Sequence, residues 1–145
     1  MLMKTKYHSE VEINENDIWQ FENGLPGFPE EKEFCILPLQ EDKGFFILQS
    51  TKTPEIAFVI SNPFSFVPNY EFKIDEQTLE QLELQSKEDL QVLTILTVQD
   101  PFEKTTANLL APLLFNVKNK KAKQMIINGS NYVTKHPLFY IKGGK

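Results

Sequence analysis

The sequence contains no arginine, one cysteine and two histidines, and it has no long hydrophobic run. All fifteen of its cationic side chains are lysines, and they face twenty Asp and Glu residues, so the formal net charge at pH 7 is −5. Arginine supplies the bidentate contacts that read guanine edges and hold phosphates. Its absence from an acidic chain argues against direct binding of nucleic acid.

The single cysteine and the short apolar runs indicate the compartment. Cys35 cannot form an internal disulfide, which is typical of a reducing environment. The first seven residues lack the apolar h-region of a secretory signal, and no stretch approaches the roughly 20 apolar residues of a membrane helix. We therefore expect a cytoplasmic protein without a membrane partner.

Residues that carry catalysis or bind metals are also scarce. His8 falls among polar positions, His136 precedes a proline, and Cys35 stands in an apolar run, where a free cysteine usually behaves as a buried hydrophobe. Two remote histidines and one cysteine do not form a zinc site, and the acidic clusters lack the spacing of a calcium loop. We expect no enzyme, no metal and no cofactor. The alternative is a small-ligand-binding or enzymatic β-barrel that uses Cys35 and a histidine.

What the chain does have is an uneven distribution of charge. Residues 1–103 hold all twenty acids and seven lysines, a net charge of −13, whereas residues 104–145 hold eight lysines and no acid, a net charge of +8. Either the surface is divided electrostatically, or basic strands lie beside acidic ones and partly cancel them. An acidic surface would suit a basic protein partner. An RNA-binding alternative would use Lys118, Lys120, Lys121 and Lys123.

Short segments with strand character dominate the chain. They are alternating or apolar runs bounded by turn residues, and nine or ten of them are recognisable. Asp75 as a cap, followed by Leu79 and Leu82, predicts one helix over residues 76–85. Pro112 places its strand at an edge or a bulge. The predicted strands cover residues 5–13, 18–21, 34–39, 45–49, 56–60, 70–74, 91–98, 107–117, 122–127 and 132–135.

This pattern predicts a mainly β fold. Closely spaced strands without βαβ alternation are typical of an antiparallel β-barrel or sandwich, here with one or two short helices. The chain shows no internal repeat and no linker, so we expect a single domain over residues 1–145. Residues 135–145 match no motif and are expected to be a partner-reaching arm or an unstructured end.

Three sequence motifs resemble a known family. They are ENGLPGF at residues 22–28, SNPFSFVPNYEF at residues 61–72 and DPFEKTTANLLAPLLFN at residues 100–116. Their order and spacing are similar to those of the FliW family of flagellar assembly factors. The resemblance implies a non-enzymatic, β-barrel-like protein that binds flagellin and, alternatively, CsrA, a small RNA-binding translational repressor.

In the scheme that the resemblance implies, flagellin and CsrA compete for one factor. When flagellin is exported, the released factor binds CsrA and blocks its repression of flagellin mRNA. We expect this factor to be a monomer when free. An acidic protein that docks beside the RNA site of a basic repressor can exclude RNA by like-charge repulsion.

The motif positions are the candidate partner contacts. In the first motif, Pro26-Gly27 predicts a type II turn, so its glycines and prolines are equally well explained as turn formers. Four loop aromatics, Phe28, Phe64, Phe66 and Phe102, either plug the barrel end or anchor a partner. The candidate contacts are Asn23, Gly24, Leu25, Pro26, Gly27, Phe28, Asn62, Pro63, Phe64, Tyr70 and Glu71.

Overall fold

A computed structural model describes residues 2–39 and 44–139. The helices within these ranges are α1 (Glu76–Leu82) and four single 3₁₀ turns at Glu15–Asp17, Pro63–Ser65, Lys87–Asp89 and Phe102–Lys104. The strands are β1 (Leu2–Lys4), β2 (Glu10–Glu12), β3 (Trp19–Phe21), β4 (Glu33–Pro38), β5 (Phe45–Ser50), β6 (Ala57–Ser61), β7 (Leu90–Thr97), β8 (Thr106–Ala107), β9 (Leu113–Asn116), β10 (Lys121–Gln124) and β11 (His136–Pro137).

Seven strands close into a ring in the order β7-β6-β5-β4-β3-β10-β9, because β9 pairs back with β7. The first half of β7 pairs with β9 and its last residues pair with β8, which in turn pairs with β11. The predicted β-barrel-like fold is confirmed. One pairing of the ring is not antiparallel: β10 runs parallel to β3, with Lys121 opposite Gln20 and Ala122 opposite Phe21.

Aromatic side chains fill the interior of this ring. Phe21 makes edge-to-face contacts with Phe34 and Phe115, with ring centroids 5.2 and 5.9 Å apart, and Trp19 contacts Phe115 at 4.9 Å. Edge-to-face packing places the positive ring edge against the negative ring face, which stabilises such pairs beyond the area they bury. Because strand side chains alternate between faces, the same strands also present an apolar outer face.

Two layers cover the outside of the barrel. The β1–β2 hairpin places Met3 over Cys35 and Ile47, and this group forms one buried cluster. On another side, α1 and the irregular segments around Tyr70 and Leu138 form a second cluster, which we call the outer cluster. None of the helices in the described ranges is long or apolar enough to cross a bilayer.

The strand predicted over residues 5–13 is only partly correct, because within it only Glu10–Glu12 forms a strand, β2. Residues 5–9 form the turn of the β1–β2 hairpin, in which the Thr5 amide donates to the Ser9 carbonyl at 2.7 Å and Ser9 has a φ of +60°. The inward position is Met3, which lies before the predicted strand. Alternation of polar and apolar residues continued across the turn and concealed it.

Three predictions for the second half of the chain also need correction. Residues 70–74 form no strand, and the strand predicted over residues 107–117 is two strands, β8 and β9. Pro112 lies between them, where its carbonyl accepts from the Met125 amide at 3.0 Å and no amide of its own is needed. The strand predicted over residues 132–135 lies instead at His136–Pro137.

The helix begins where predicted but ends earlier. The Asp75 carboxylate accepts from the Thr78 amide at 2.7 Å, which satisfies one of the open amides of the first turn. Glu83 adopts a left-handed φ of +56° and terminates the helix after Leu82. Leu82 is buried, but Leu79 is 37% exposed, so the predicted apolar face is only half correct.

The predicted tail is structured over its first residues. Pro137 lies in β11 opposite Thr106, and Leu138 is buried in the outer cluster. Residues 140–145 of the tail lie outside the described residues.

Candidate functional site

The first motif folds into two consecutive tight turns. The Gly24 amide donates to the Phe21 carbonyl at 2.9 Å and closes the first turn. Leu25 and Phe28 exchange backbone hydrogen bonds of 3.1 and 2.7 Å across the second. Gly27, at the third position of this turn, has a φ of +85°, which agrees with the predicted type II turn.

The glycines of this loop differ in how much space surrounds them. A Cβ on Gly24 would lie 2.5 Å from the Phe28 carbonyl oxygen, and Gly24 has a φ of +67°. A Cβ on Gly27 would meet nothing within 4 Å. Gly24 is therefore required by both conformation and space, whereas Gly27 is required by conformation alone.

The loop closes one end of the barrel and leaves an aromatic at the surface. Leu25 is buried inside the ring, while the Phe28 ring packs edge-to-face on Phe58 with centroids 5.7 Å apart. Phe28 remains 38% exposed. Phe28 is thus packed against the barrel and accessible to solvent at the same time.

A groove of about 540 Å³ lies between this loop, β10 and the end of α1. Leu25, Leu82 and Ala122 give it an apolar lining, and two lysines border it. Lys121 Nζ forms an ion pair with Glu83 at 2.7 Å, and Lys123 Nζ donates to the side-chain oxygen of Gln81. The other lining residues are Gln20, Glu22, Asn23, Gly24, Pro26, Gly27, Pro29 and Gln124.

The second motif is organised by Asn62, whose side chain accepts from the Phe64 amide at 2.9 Å and caps a 3₁₀ turn. Pro63 is buried at the first position of that turn. A proline is favoured there because the amide of the first position has no partner within the turn. Phe64 is 41% exposed, and its ring lies 5.8 Å from the ring of Tyr70.

Tyr70 joins the second motif to the third. Its hydroxyl donates to the Leu109 carbonyl at 2.7 Å in a buried setting, and burial raises the pKa of Tyr70 well above its ordinary value. The ring of Tyr132 packs against it at 4.8 Å, and the Tyr132 hydroxyl accepts from the amide of exposed Glu71 at 3.1 Å. The two motifs therefore form one structural unit.

Phe102 of the third motif extends the exposed aromatic surface. Its ring lies 5.7 Å from both Phe45 and Phe139, yet Phe102 is 40% exposed. Phe66, by contrast, is partly buried against the outer cluster. Three of the four loop aromatics considered above are both packed and accessible.

Three acidic side chains lie together on the β2 side of the barrel. Glu12, Glu15 and Asp17 line an open basin of about 870 Å³, together with Trp19 and Lys120. The Lys120 ammonium lies 4.3 Å from the centre of the Trp19 ring, within the range of a cation–π contact. This face therefore combines carboxylates with the ammonium of Lys120, which is partly engaged by the Trp19 ring.

The basic C-terminal segment does not remain apart from the acidic one. β10 lies between β3 and β9 and also contacts α1, so its lysines meet the acidic helix. The hydrogen bond from Lys121, and then its charge, lowers the pKa of Glu83, and the same contact raises the pKa of Lys121. The two charge blocks are therefore interleaved at α1, while the acidic basin lies elsewhere.

The catalytic alternative gains no geometric support. Cys35 is buried with its Sγ 3.9 Å from the sulfur of Met3, and burial, followed by the charge of Asp17, raises the pKa of the Cys35 thiol to about 11. The Nε2 of His8 contacts the Pro38 carbonyl at 2.7 Å, and His136 lies in β11. Among the hydrogen bonds of the described residues, none joins Cys35 to either histidine.

A metal site is not apparent either: within residues 2–39 and 44–139, no three His, Cys, Asp or Glu side chains are grouped to hold an ion.

Three of the four lysines of the RNA-binding alternative contact different side chains. Lys121 engages Glu83, Lys123 engages Gln81 and Lys120 covers Trp19.

Ten of the eleven candidate contacts fall into two groups. Asn23 to Gly27 border the groove, and Asn62 to Glu71 lie beside the third motif. The eleventh, Phe28, packs on Phe58 and is not among the residues that line the groove. Sequence reasoning missed Gln81 and Phe139, which belong to these two surfaces. No local signal marks Gln81, because the groove arises from three segments that are distant in the sequence.

Comparison with known proteins gives consistent matches. The family model described as FliW protein matches residues 2–138. The chain is 51% identical over 138 residues to the flagellar assembly factor FliW of Bacillus subtilis (strain 168), covering 95% of this chain and 96% of that protein. It is also 51% identical over 145 residues to the flagellar assembly factor FliW of Geobacillus kaustophilus (strain HTA426), which covers both chains completely. A crystal structure of the flagellar assembly factor FliW superposes with a TM-score of 0.94 at 49% identity, covering 98% of this chain and 99% of that one.

Proposed function

Since the chain belongs to the FliW family of flagellar assembly factors, we propose that it binds flagellin in the bacterial cytoplasm and, once released, binds the translational repressor CsrA. By holding CsrA it blocks repression of flagellin mRNA, so flagellin synthesis follows flagellin export. The protein acts by binding, as a chaperone-like regulator, and not by catalysis. The observation that carries the proposal is the 51% identity over all 145 residues to a relative of that name.

The exposed aromatics support the flagellin half of the proposal. Phe64 packs on buried Tyr70 and Phe102 packs on half-buried Phe45, while about two-fifths of each side chain remains accessible. Large, rigid side chains anchored in this way are favoured at interface hot spots. An amphipathic helix from the end of an unassembled flagellin would place its apolar face on such a surface.

The acidic basin supports the CsrA half. Glu12, Glu15 and Asp17 border it on the β2 side, where they form a negative field beside Trp19. A basic RNA-binding protein is attracted to such a field, and the field repels RNA from the same place. The acidic side chains of α1 and Glu83 contribute less to this negative field than the net charge of −13 over residues 1–103 suggests, because Lys121 neutralises Glu83.

Isothermal titration calorimetry with purified flagellin and purified CsrA, separately and then in competition, tests the proposal. We expect heat of binding with each partner and displacement of one by the other. Absence of binding to both proteins would overturn it. Affinity for CsrA should fall as salt rises above about 0.1 M, because exposed charges are then screened within about 10 Å.

Matched variants separate the two halves. Phe64→Ala should weaken flagellin binding, and Glu15→Lys should weaken CsrA binding. Glu55→Lys makes the same charge change at another exposed position and serves as the control. An equal loss of CsrA affinity in both charge-reversed proteins would assign the effect to net charge and contradict a role for the acidic basin.

A further inference from the structure

The pairing of β3 with β10 stops before β10 ends. Only two pairs of residues join these strands, Lys121 with Gln20 and Ala122 with Phe21. β3 ends at Phe21 because the chain enters the turn at Gly24, whereas β10 continues to Gln124. The groove bordered by the first motif lies at this opening.

The register shows which backbone groups the opening exposes. The amides of Met125 and Ile127 donate to the carbonyls of Pro112 and Leu110, so odd-numbered residues here turn their backbone groups toward the β9 side. Ala122 and Gln124 therefore turn theirs toward β3. Ala122 pairs with Phe21, the last residue of β3, so no residue of β3 lies opposite Gln124. The N–H and C=O of Gln124 thus form a short open sheet edge beside the groove.

The groove offers this edge apolar contacts and a positive charge. Leu25, Leu82 and Ala122 line it. Lys121 is neutralised by Glu83, but the Lys123 ammonium donates to the neutral amide of Gln81. The charge of Lys123 contributes slightly to the lowered pKa of Asp75, but the Asp75 carboxylate already caps α1.

We propose that this opening, which we call the β3–β10 seam, is a strand-addition site for an extended segment of a partner protein that carries an acidic side chain. The segment would pair its backbone with Gln124, place an apolar side chain against Leu25 and Leu82, and place its carboxylate at Lys123. Backbone pairing with an exposed edge supplies affinity, and the side-chain contacts supply specificity. This site is distinct from the acidic basin and the aromatic surface of the proposed function, so each can fail independently.

A capped pentapeptide, acetyl-Thr-Val-Glu-Val-Thr-amide, is a suitable probe for NMR titration of the isotope-labelled full chain. The largest amide shift changes should fall on Gln124 and Lys123. The same peptide with N-methyl groups on its two valines loses backbone donors and should bind more weakly by about tenfold. The peptide with Lys in place of Glu should also bind more weakly. Shift changes centred elsewhere, or equal binding of all three peptides, would overturn the proposal.

Two pairs of variants test the protein side. Gln124→Pro removes the exposed N–H, whereas Gln124→Ala keeps it, so only the proline variant should lose peptide binding. Lys123→Glu should abolish the preference for the acidic peptide, and Lys118→Glu, at an exposed position outside the groove, should preserve it. If Gln124→Pro does not fold, the N-methylated peptide still tests backbone pairing. A retained preference for the acidic peptide in Lys123→Glu would contradict the charge assignment.

Discussion

The hydroxyl of Tyr70 donates a 2.7 Å hydrogen bond to the carbonyl of Leu109, and both residues are buried. This bond joins two irregular segments that approach each other only in the folded chain. A carbonyl in such a position is expensive to leave without a donor, because water cannot replace the hydroxyl.

Tyr70→Phe should therefore destabilise the protein by about 1–2 kcal/mol, since it leaves the Leu109 carbonyl unpaired. Urea unfolding followed by circular dichroism measures this as a lower midpoint at constant slope. Tyr132→Phe is the control, because the Glu71 amide that it releases lies in an exposed contact and can turn to water. Equal losses in the two variants would contradict the role of burial.

The two glycines of the first motif should differ in tolerance to alanine. Gly24→Ala should cost about 2–5 kcal/mol, because it combines a left-handed conformation with a Cβ that collides with the Phe28 carbonyl. Gly27→Ala carries the conformational cost alone, about 1–2 kcal/mol. Thermal or urea unfolding of the two variants measures the difference. A Gly27→Ala loss as large as that of Gly24→Ala would show that space is not the deciding factor.

Asp75 should make the stability of the outer layer depend on pH. The nearby Thr78 hydroxyl and the hydrogen bond from the Thr78 amide lower the pKa of the Asp75 carboxyl in the folded chain. The resulting stability is fully present above the unfolded-state pKa, about 3.9, and is lost as the pH falls through the lower pKa of the folded state. Urea unfolding between pH 2 and 6, in roughly half-unit steps, should show this loss.

Variants of Asp75 identify that contribution. Asp75→Asn retains a capping oxygen without the titration, so its stability should vary less over the same acidic range. Asp75→Ala removes the cap and should cost about 1 kcal/mol at neutral pH. An identical pH profile for the wild type and Asp75→Asn would exclude Asp75 as the source.

Cys35 should be inert in the folded protein. Its pKa of about 11 leaves about one thiol in a thousand ionised at pH 8, and the side chain is buried beneath the β1–β2 hairpin. An aromatic disulfide reagent should release no chromophore from the native protein at pH 8 and one equivalent per chain after unfolding in urea. Rapid reaction of the native protein would show that the hairpin opens readily.

The strands that sequence reasoning predicted best are those with local signals. β4, β5 and β6 lie within one residue of the predictions at residues 34–39, 45–49 and 56–60. Each is an apolar run bounded by turn residues, so its neighbours along the chain define it. The type II turn at Pro26-Gly27 and the cap at Asp75 were predictable for the same reason.

The features that sequence reasoning missed depend on partners distant in the chain. The segment at residues 70–74 consists largely of residue types that favour strands. In the structure, however, the Tyr70 hydroxyl bonds to the Leu109 carbonyl and the segment packs as an irregular layer. The pairing of β3 with β10 has no local signature at all. The groove beside it was unpredictable for that reason, although the loop that borders it was recognised.

The parallel pairing of β3 with β10 also dictates an order of events during synthesis. β3 leaves the ribosome about 100 residues before its partner Lys121. Until then the emerging meander from β3 to β7 carries two open edges, and the long loop that must close around it slows the final step. The nascent chain is therefore most exposed to edge-to-edge association just before β9 and β10, which close the ring, emerge.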